Sequence, residues 1–142
     1  MKSLSGKLGV FLIGLAIFGY AEASGMNWKY IGEAYEGKYF YDTNRMRRPS
    51  KDTVRVWMRV LYTQKGVNYM VSLLGGKYET LSYAEVLFEY HCGDKKKKIV
   101  PIAFYSKDGK VLISADDKTS NWNFISPDSI DEALYKILCK KP

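Results

Sequence analysis

Histidine occurs once in this 142-residue chain and cysteine twice, and those two scarcities exclude more chemistry than any motif supplies. A structural zinc site takes four ligands, usually several Cys and His. His91, Cys92 and Cys139 are all that this chain offers. There is no C-x-x-C-H, and no second histidine follows His91 at helical spacing, so neither a metal nor a haem cofactor is expected. Catalysis by a Ser–His or Cys–His pair needs a nucleophile, a base and an orienting group to meet in space. A lone histidine beside a cysteine gives little material for that. G-x-S-x-G, the P-loop and G-x-G-x-x-G are all missing, and Asp116, Asp117 and Asn121 do not reproduce a calcium-loop spacing. Glu85 and Glu89 share one face of a predicted strand, where carboxylates are most simply solvated. The expectation is a protein that is not an enzyme.

Long hydrophobic runs are equally scarce. The only one is LGVFLIGLAIFG at 8–19, preceded by Lys2 and Lys7 and followed by Ala21-Glu22-Ala23. A positive start, a short apolar core and a small-x-small cleavage site describe a secretory signal peptide over 1–23. The run is shorter than the roughly 20 apolar residues that span a bilayer, so no integral membrane span is expected after cleavage. No cysteine sits at the cleavage point to carry a lipid. The predicted mature chain, 24–142, is exported to the periplasm, the cell surface or the medium, and its length suits a single domain. The whole chain carries 22 Lys+Arg against 15 Asp+Glu, a net charge of +7. Such basicity favours anionic surfaces or polymers as partners.

Both cysteines lie in the exported part. The stretch YHCGDKKKK at 90–98 admits four readings: a metal-ligand pair, a reactive thiol, a polyanion-binding patch, or a disulfide anchor beside a solvated strand end. In an oxidising compartment an even pair is most simply a disulfide, which makes Cys92–Cys139 the anchor. His91 is then an ordinary strand residue near the crosslink.

No repeat or low-complexity linker interrupts 24–142. Period-two alternation predicts most of the structure. MNWKYIGEA (26–34) and GKYFYDT (37–43) read as a hairpin around Gly37. TVRVWMRVLYT (53–63) points Val54, Val56, Met58, Val60 and Tyr62 to a core, and Arg55, Trp57, Arg59 and Leu61 to a half-covered second face. QKGVNYMVSLLGGKYET (64–80) reads as a loop or short helix. LSYAEVLFEYHC (81–92), KKIVPIAFYS (97–106) and KVLISAD (110–116) are further strands, the last two joined by the Asp108-Gly109 hairpin signal. Pro101 cannot donate to a ladder, so its strand is an edge or carries a bulge there. A C-terminal helix is predicted with Ser126 as cap, Pro127 first and Asp128 complementing the dipole. Its stripe is Ile130, Ala133, Leu134, Ile137 and Leu138. Cys139 falls nearly opposite that stripe, so either the last turn unwinds or the helix lies in a concavity.

The order of these features resembles the surface-adhesin protein E family of small exported bacterial proteins. The matching residues are Trp28-Lys29-Tyr30-Ile31, Tyr39-Phe40-Tyr41-Asp42, Val54-Arg55-Val56-Trp57, Tyr90-His91-Cys92, Trp122 with Ile125-Ser126-Pro127, and the helix ending at Cys139. The resemblance implies an α+β fold: a curved antiparallel sheet of about six strands, a C-terminal helix on its concave face, and one disulfide. It also implies a surface or periplasmic binding protein of adhesin type. In the family that role goes with a lipid-anchored surface protein, and this chain has no lipidation cysteine.

Candidate binding residues follow from composition. Arg45, Arg47, Arg48 and Lys51 form one basic cluster, and Lys95, Lys96, Lys97 and Lys98 form another. Clusters of this kind bind polyanions through counterion release, and lysines at a strand start also guard against edge pairing. Tyr39, Tyr41 and Trp57 are candidate interaction aromatics, since Tyr, Trp and Arg dominate interface energetics. The partners expected are a protein or a polyanion (matrix, lipopolysaccharide or extracellular nucleic acid), with a homodimer as a further form. An alternative function is a periplasmic inhibitor or accessory subunit of an envelope enzyme or assembly.

Overall fold

The computed structural model describes residues 25–116 and 121–140; the expected signal segment 1–23 lies outside them. The described residues form eight strands and two helices: β1 Trp28–Ala34, β2 Gly37–Asp42, β3 Arg47–Ser50, β4 Thr53–Tyr62, α1 Gln64–Leu74, β5 Leu81–His91, β6 Lys96–Ser106, β7 Val111–Asp116, β8 Asn123–Phe124 and α2 Ile130–Leu138. A single turn of 3-10 helix, Gly76–Tyr78, lies between α1 and β5. The expected six strands form the continuous path β1-β2-β4-β5-β6-β7, all antiparallel, as one curved, unclosed sheet. Two short strands were not expected. β3 pairs with the start of β4, and β8 pairs with the start of β6.

Alternation decides which side of the sheet each residue serves. Val54, Val56, Met58 and Val60 of β4 and Val86, Phe88 and Tyr90 of β5 are buried on the concave side, where Leu134 and Leu138 of α2 complete the core. Leu134 is 0 % exposed. A second cluster, Val67, Tyr78 and Leu81 with Tyr62, Met70 and Phe104 against it, lies under α1. The ambiguous segment after β4 is therefore a helix. Thr63 caps it by accepting from the Gly66 N–H, 3.0 Å. Gly66 itself is required there: a Cβ would collide with the Glu36 carbonyl of the β1–β2 turn.

Pro101 lies on β6, which pairs with strands on both sides and is no edge. Instead the β5–β6 register shifts between Val86 and Phe88, opposite Pro101. This is the bulge alternative, which leaves the missing N–H outside the ladder. Asp108-Gly109 turns the next hairpin as expected, with Gly109 at φ 82°.

The start of α2 differs from expectation. Ser129, not Ser126, is the N-cap, and it accepts from the Glu132 N–H at 3.1 Å. Asp128 adopts φ 56°, a left-handed conformation that a helix interior does not contain. Ser129-Ile130-Asp131-Glu132 has the S-x-x-E pattern of a capping box. Glu132 reaches back to the Asp128 N–H, 3.1 Å, and this second bond moves the start downstream. The buried face is also rotated from the expected stripe: Ile137 is 44 % exposed, while Tyr135 and Cys139 pack on the core.

That rotation removes the difficulty at Cys139. The helix ends at Leu138, Cys139 is the C-cap, and Cys92–Cys139 closes with 5.5 Å between Cα atoms. Around the crosslink, Tyr135 Oη donates to the Cys92 carbonyl at 2.6 Å and Arg48 Nη2 to the Leu138 carbonyl at 3.1 Å. A guanidinium at the last carbonyls of a helix also suits its dipole. In denaturant titration, replacing both cysteines by serine is expected to lower unfolding free energy by about 4 kcal/mol, the loop-closure value for a separation of 47 residues. Leu134→Ala is expected to lower it by about 3 kcal/mol. Equal stability of reduced and oxidised protein would contradict the staple.

Candidate functional site

Both described helices lie on the concave side, and the convex face of the sheet is the broad surface that the described residues leave uncovered. Its residues are the second members of each alternating pair. From β4 come Arg55, Trp57, Arg59 and Leu61, and from β5 Tyr83, Glu85, Leu87, Glu89 and His91, register partner to register partner. Trp28 and Tyr30 of β1 and Phe40 of β2 continue the face toward one edge.

Charge on this face is organised, not scattered. Arg55 grips Glu89 through Nη2 at 2.8 Å and Nε at 3.3 Å. Arg59 grips Glu85 in the same way, with Nε at 3.0 Å. The carboxylates that could have served as an acid pair are thus each held by a guanidinium. Arg59 also lies 4.4 Å above the Trp28 ring and 5.1 Å above Tyr83. Arg45 stands between Trp28 and Trp57, 5.6 and 5.3 Å from their centroids, and is ion-paired to the buried Asp42. Burial opposes ionisation of Asp42, but Arg45 and the backbone N–H groups of Asn27 and Asn44 outweigh it and hold the carboxyl below the usual range. One nitrogen of Arg45, Nη2, is buried and finds no acceptor.

The two basic clusters are far apart in sequence and close in space. Arg47 is the register partner of Arg55, Arg55 of Glu89, and Glu89 of Lys98. In the neighbouring row Thr53 faces His91, His91 faces Lys96, and Lys96 faces Phe124. Arg47, Arg55, Lys98 and Lys96 therefore share one end of the convex face.

The four lysines are divided by the strand. Lys95 and Lys97 turn to the concave side, where they bind Glu132 (2.9 Å) and Asp131 of α2. Lys96 and Lys98 turn outward, with ammonium groups 4.7 and 4.8 Å above the rings of Phe124 and Trp122. Among the described residues no carboxylate neutralises either. Arg48 points to the α2 side, and Lys51 is exposed in the β3–β4 turn. Of the candidate aromatics, Tyr41 is 5 % exposed and belongs to the core, as the concave member of its alternation. Tyr39 is half-buried on the same side and donates to Glu36. Trp57 is half-buried on the convex face. The outward partner in β2 is Phe40, packed on Tyr30 with centroids 5.6 Å apart. His91 makes an edge contact with Trp122, and its Nδ1 accepts from the Asp94 N–H.

A space of about 640 Å³ lies between the start of α2 and the sheet, lined by Glu33, Glu36, Met58, Phe88 and Asp131. On the convex face, about 170 Å³ opens between Arg45, Arg47, Arg55, Trp57 and Leu87. Among the described residues no cluster of His, Cys, Asp and Glu could hold a metal ion, and no helix is long and apolar enough to cross a membrane.

The family model for surface-adhesin protein E matches residues 28–140. A search of curated proteins returns no match. Among solved structures, crystal form II of Haemophilus influenzae protein E superposes with a TM-score of 0.51 at 16 % identity, over 78 % of this chain and 86 % of that one. The selenomethionine form of that protein gives 0.50 at 14 %, over 78 % and 84 %. At these identities the likeness is one of fold. The chain belongs to the surface-adhesin protein E family, and this agrees with the sequence resemblance and with the observed curved sheet, C-terminal helix and single disulfide.

The concave ion pairs carry a pH signature. Lys95 first, then the Asp128 N–H, hold the Glu132 carboxyl down to about 2 from 4.5. The folded form thus favours ionised Glu132. Its contribution is complete above 4.5 and disappears as pH falls through about 2. Thermal melts are expected to show Tm falling across that window, with a shallower fall for Glu132→Gln. Parallel curves for the two proteins would remove Glu132 as a source of the acid sensitivity.

Proposed function

We propose that this member of the surface-adhesin protein E family is an exported, non-enzymatic binding protein of adhesin type. It engages a protein or an anionic polymer of the envelope or matrix through the convex face of its sheet. One observation carries the choice of surface: two basic segments some fifty residues apart in sequence meet on the broad face that neither described helix covers. A broad, convex, charged and ring-studded surface suits contact with a large partner better than enclosure of a small one, since small-molecule sites are concave and mostly apolar. The family assignment supports an adhesin-like role. The held state of Glu85 and Glu89 supports a role without catalysis, because each is engaged by arginine.

The signal-like segment 1–23 and the disulfide, which suits an oxidising compartment, support export. The periplasm and the cell surface both meet that condition. The test is direct binding of oxidised, signal-cleaved protein to immobilised matrix and envelope fractions. Saturable binding that falls by tenfold or more in Arg47→Glu is expected. Binding that is unaffected by this variant would move the contact surface elsewhere, and absence of binding to every fraction would overturn the adhesin-like reading.

A further inference from the structure

We infer that the end of the convex face formed by Arg47, Arg55, Lys96 and Lys98 is a binding site for a linear polysaccharide bearing carboxylate or sulfate groups. This rests on the binding role above and names its ligand class.

The geometry begins with two like charges placed opposite one another. Arg47 and Arg55 are cross-strand partners on a sheet face, an arrangement that is destabilising by itself. Glu89 relieves Arg55, and the Arg47 side chain makes no hydrogen bond or ion pair with the described residues. The same row ends in Lys98, with Lys96 in the next row. Neighbouring strands lie about 4.8 Å apart, so the row from Arg47 to Lys98 spans about 14 Å, the scale of a few sugar residues. Beside it, the depression of about 170 Å³ is lined by Arg45, Arg47 and Arg55 together with Trp57 and Leu87. An oxyanion seated there would relieve the Arg47–Arg55 repulsion. Guanidinium forks match both carboxylate and sulfate geometry.

The aromatic rings argue for the polymer class. Single-stranded nucleic acid is held by bases stacked on open ring faces. Here Trp122 and Trp57 have cations over their rings, Lys98 and Arg45, and Phe124, 76 % exposed with Lys96 over one side, is a single ring where stacking of successive bases needs several. A protein partner would favour a centre depleted of charge, and the centre of this row is Arg55 with Glu89. What remains well matched is a hydrophilic chain with repeated negative groups that asks for donors and little stacking.

Binding is tested with heparin, which carries sulfate and carboxylate, and polygalacturonate, which carries carboxylate alone. Single-stranded DNA and neutral dextran serve as the other arms. Arg47→Glu/Lys98→Glu reverses two charges that have no carboxylate partner. Lys107→Glu/Lys110→Glu makes the same net change at the distant β6–β7 turn. The wild type is expected to bind at least one acidic polysaccharide, with affinity falling as salt rises, and dextran not at all. The first variant is expected to lose tenfold or more and to reduce the salt slope by about two, while the second changes less than threefold. If the reversal unfolds the protein, Arg47→Gln/Lys98→Gln repeats the test with a smaller loss in the same direction. Equal loss in both charge-reversed variants would reduce the effect to net charge and overturn the site. Binding to DNA alone would overturn the ligand class. Binding to matrix fractions with none to either polysaccharide would overturn this inference and leave the adhesin-like reading standing.

Discussion

A sheet has two faces, and in this molecule the docking of α2 decides what each can do. The helix lies on the concave side, held by Leu134 and Leu138 in the core, by Cys92–Cys139 at its end, and by Lys95 and Lys97 at its start. Each attachment uses a different physics: apolar burial, a covalent limit on the unfolded chain, and opposite charge near the helix N-terminus. The ion pairs are the weakest of the three, since exposed pairs contribute about 0–1 kcal/mol. Their value is directional, because they fix which carboxylates lie over which strand.

The consequence reaches the opposite face. Strand alternation sends Lys96 and Lys98 outward as surely as it sends Lys97 inward. A run that looks uniform in sequence thus becomes two neutralised cations and two that rest on aromatic rings. A ring attracts an ammonium through its quadrupole but does not cancel its charge. The convex face consequently keeps its positive character, while on the concave side Lys95 and Lys97 are balanced by Glu132 and Asp131. Arg55 and Arg59 contribute differently. Each holds a glutamate, so they stiffen the face more than they charge it.

Much of this was legible beforehand. The alternation of 53–63 and 81–92, the Asp108-Gly109 turn, the terminal helix and the cysteine pair are local or compositional signals, and they appear as read. Features that depend on register were not legible. Nothing in the sequence says that Arg47 sits opposite Arg55, because that pairing is set by the length of the β3–β4 turn and by the whole sheet. The position of Ser129 was available in S-x-x-E and was outcompeted by the more conspicuous Ser126-Pro127. The inward side of Tyr39 and Tyr41 could not be chosen from alternation alone. It gives two sets and needs a third dimension, here the helix, to say which is covered.

The division of the lysine run is the point at which the whole account can be tested most directly. Brief modification of the oxidised protein with an amine-reactive reagent, read by fragment mass spectrometry, gives relative rates for the four adjacent lysines. The account predicts slow reaction at Lys97, held by Asp131 under α2, and faster reaction at Lys98 on the open face. Reducing the disulfide should raise the Lys97 rate toward that of Lys98. Equal rates at Lys97 and Lys98 in the oxidised protein would contradict the two-sided arrangement on which the binding face depends.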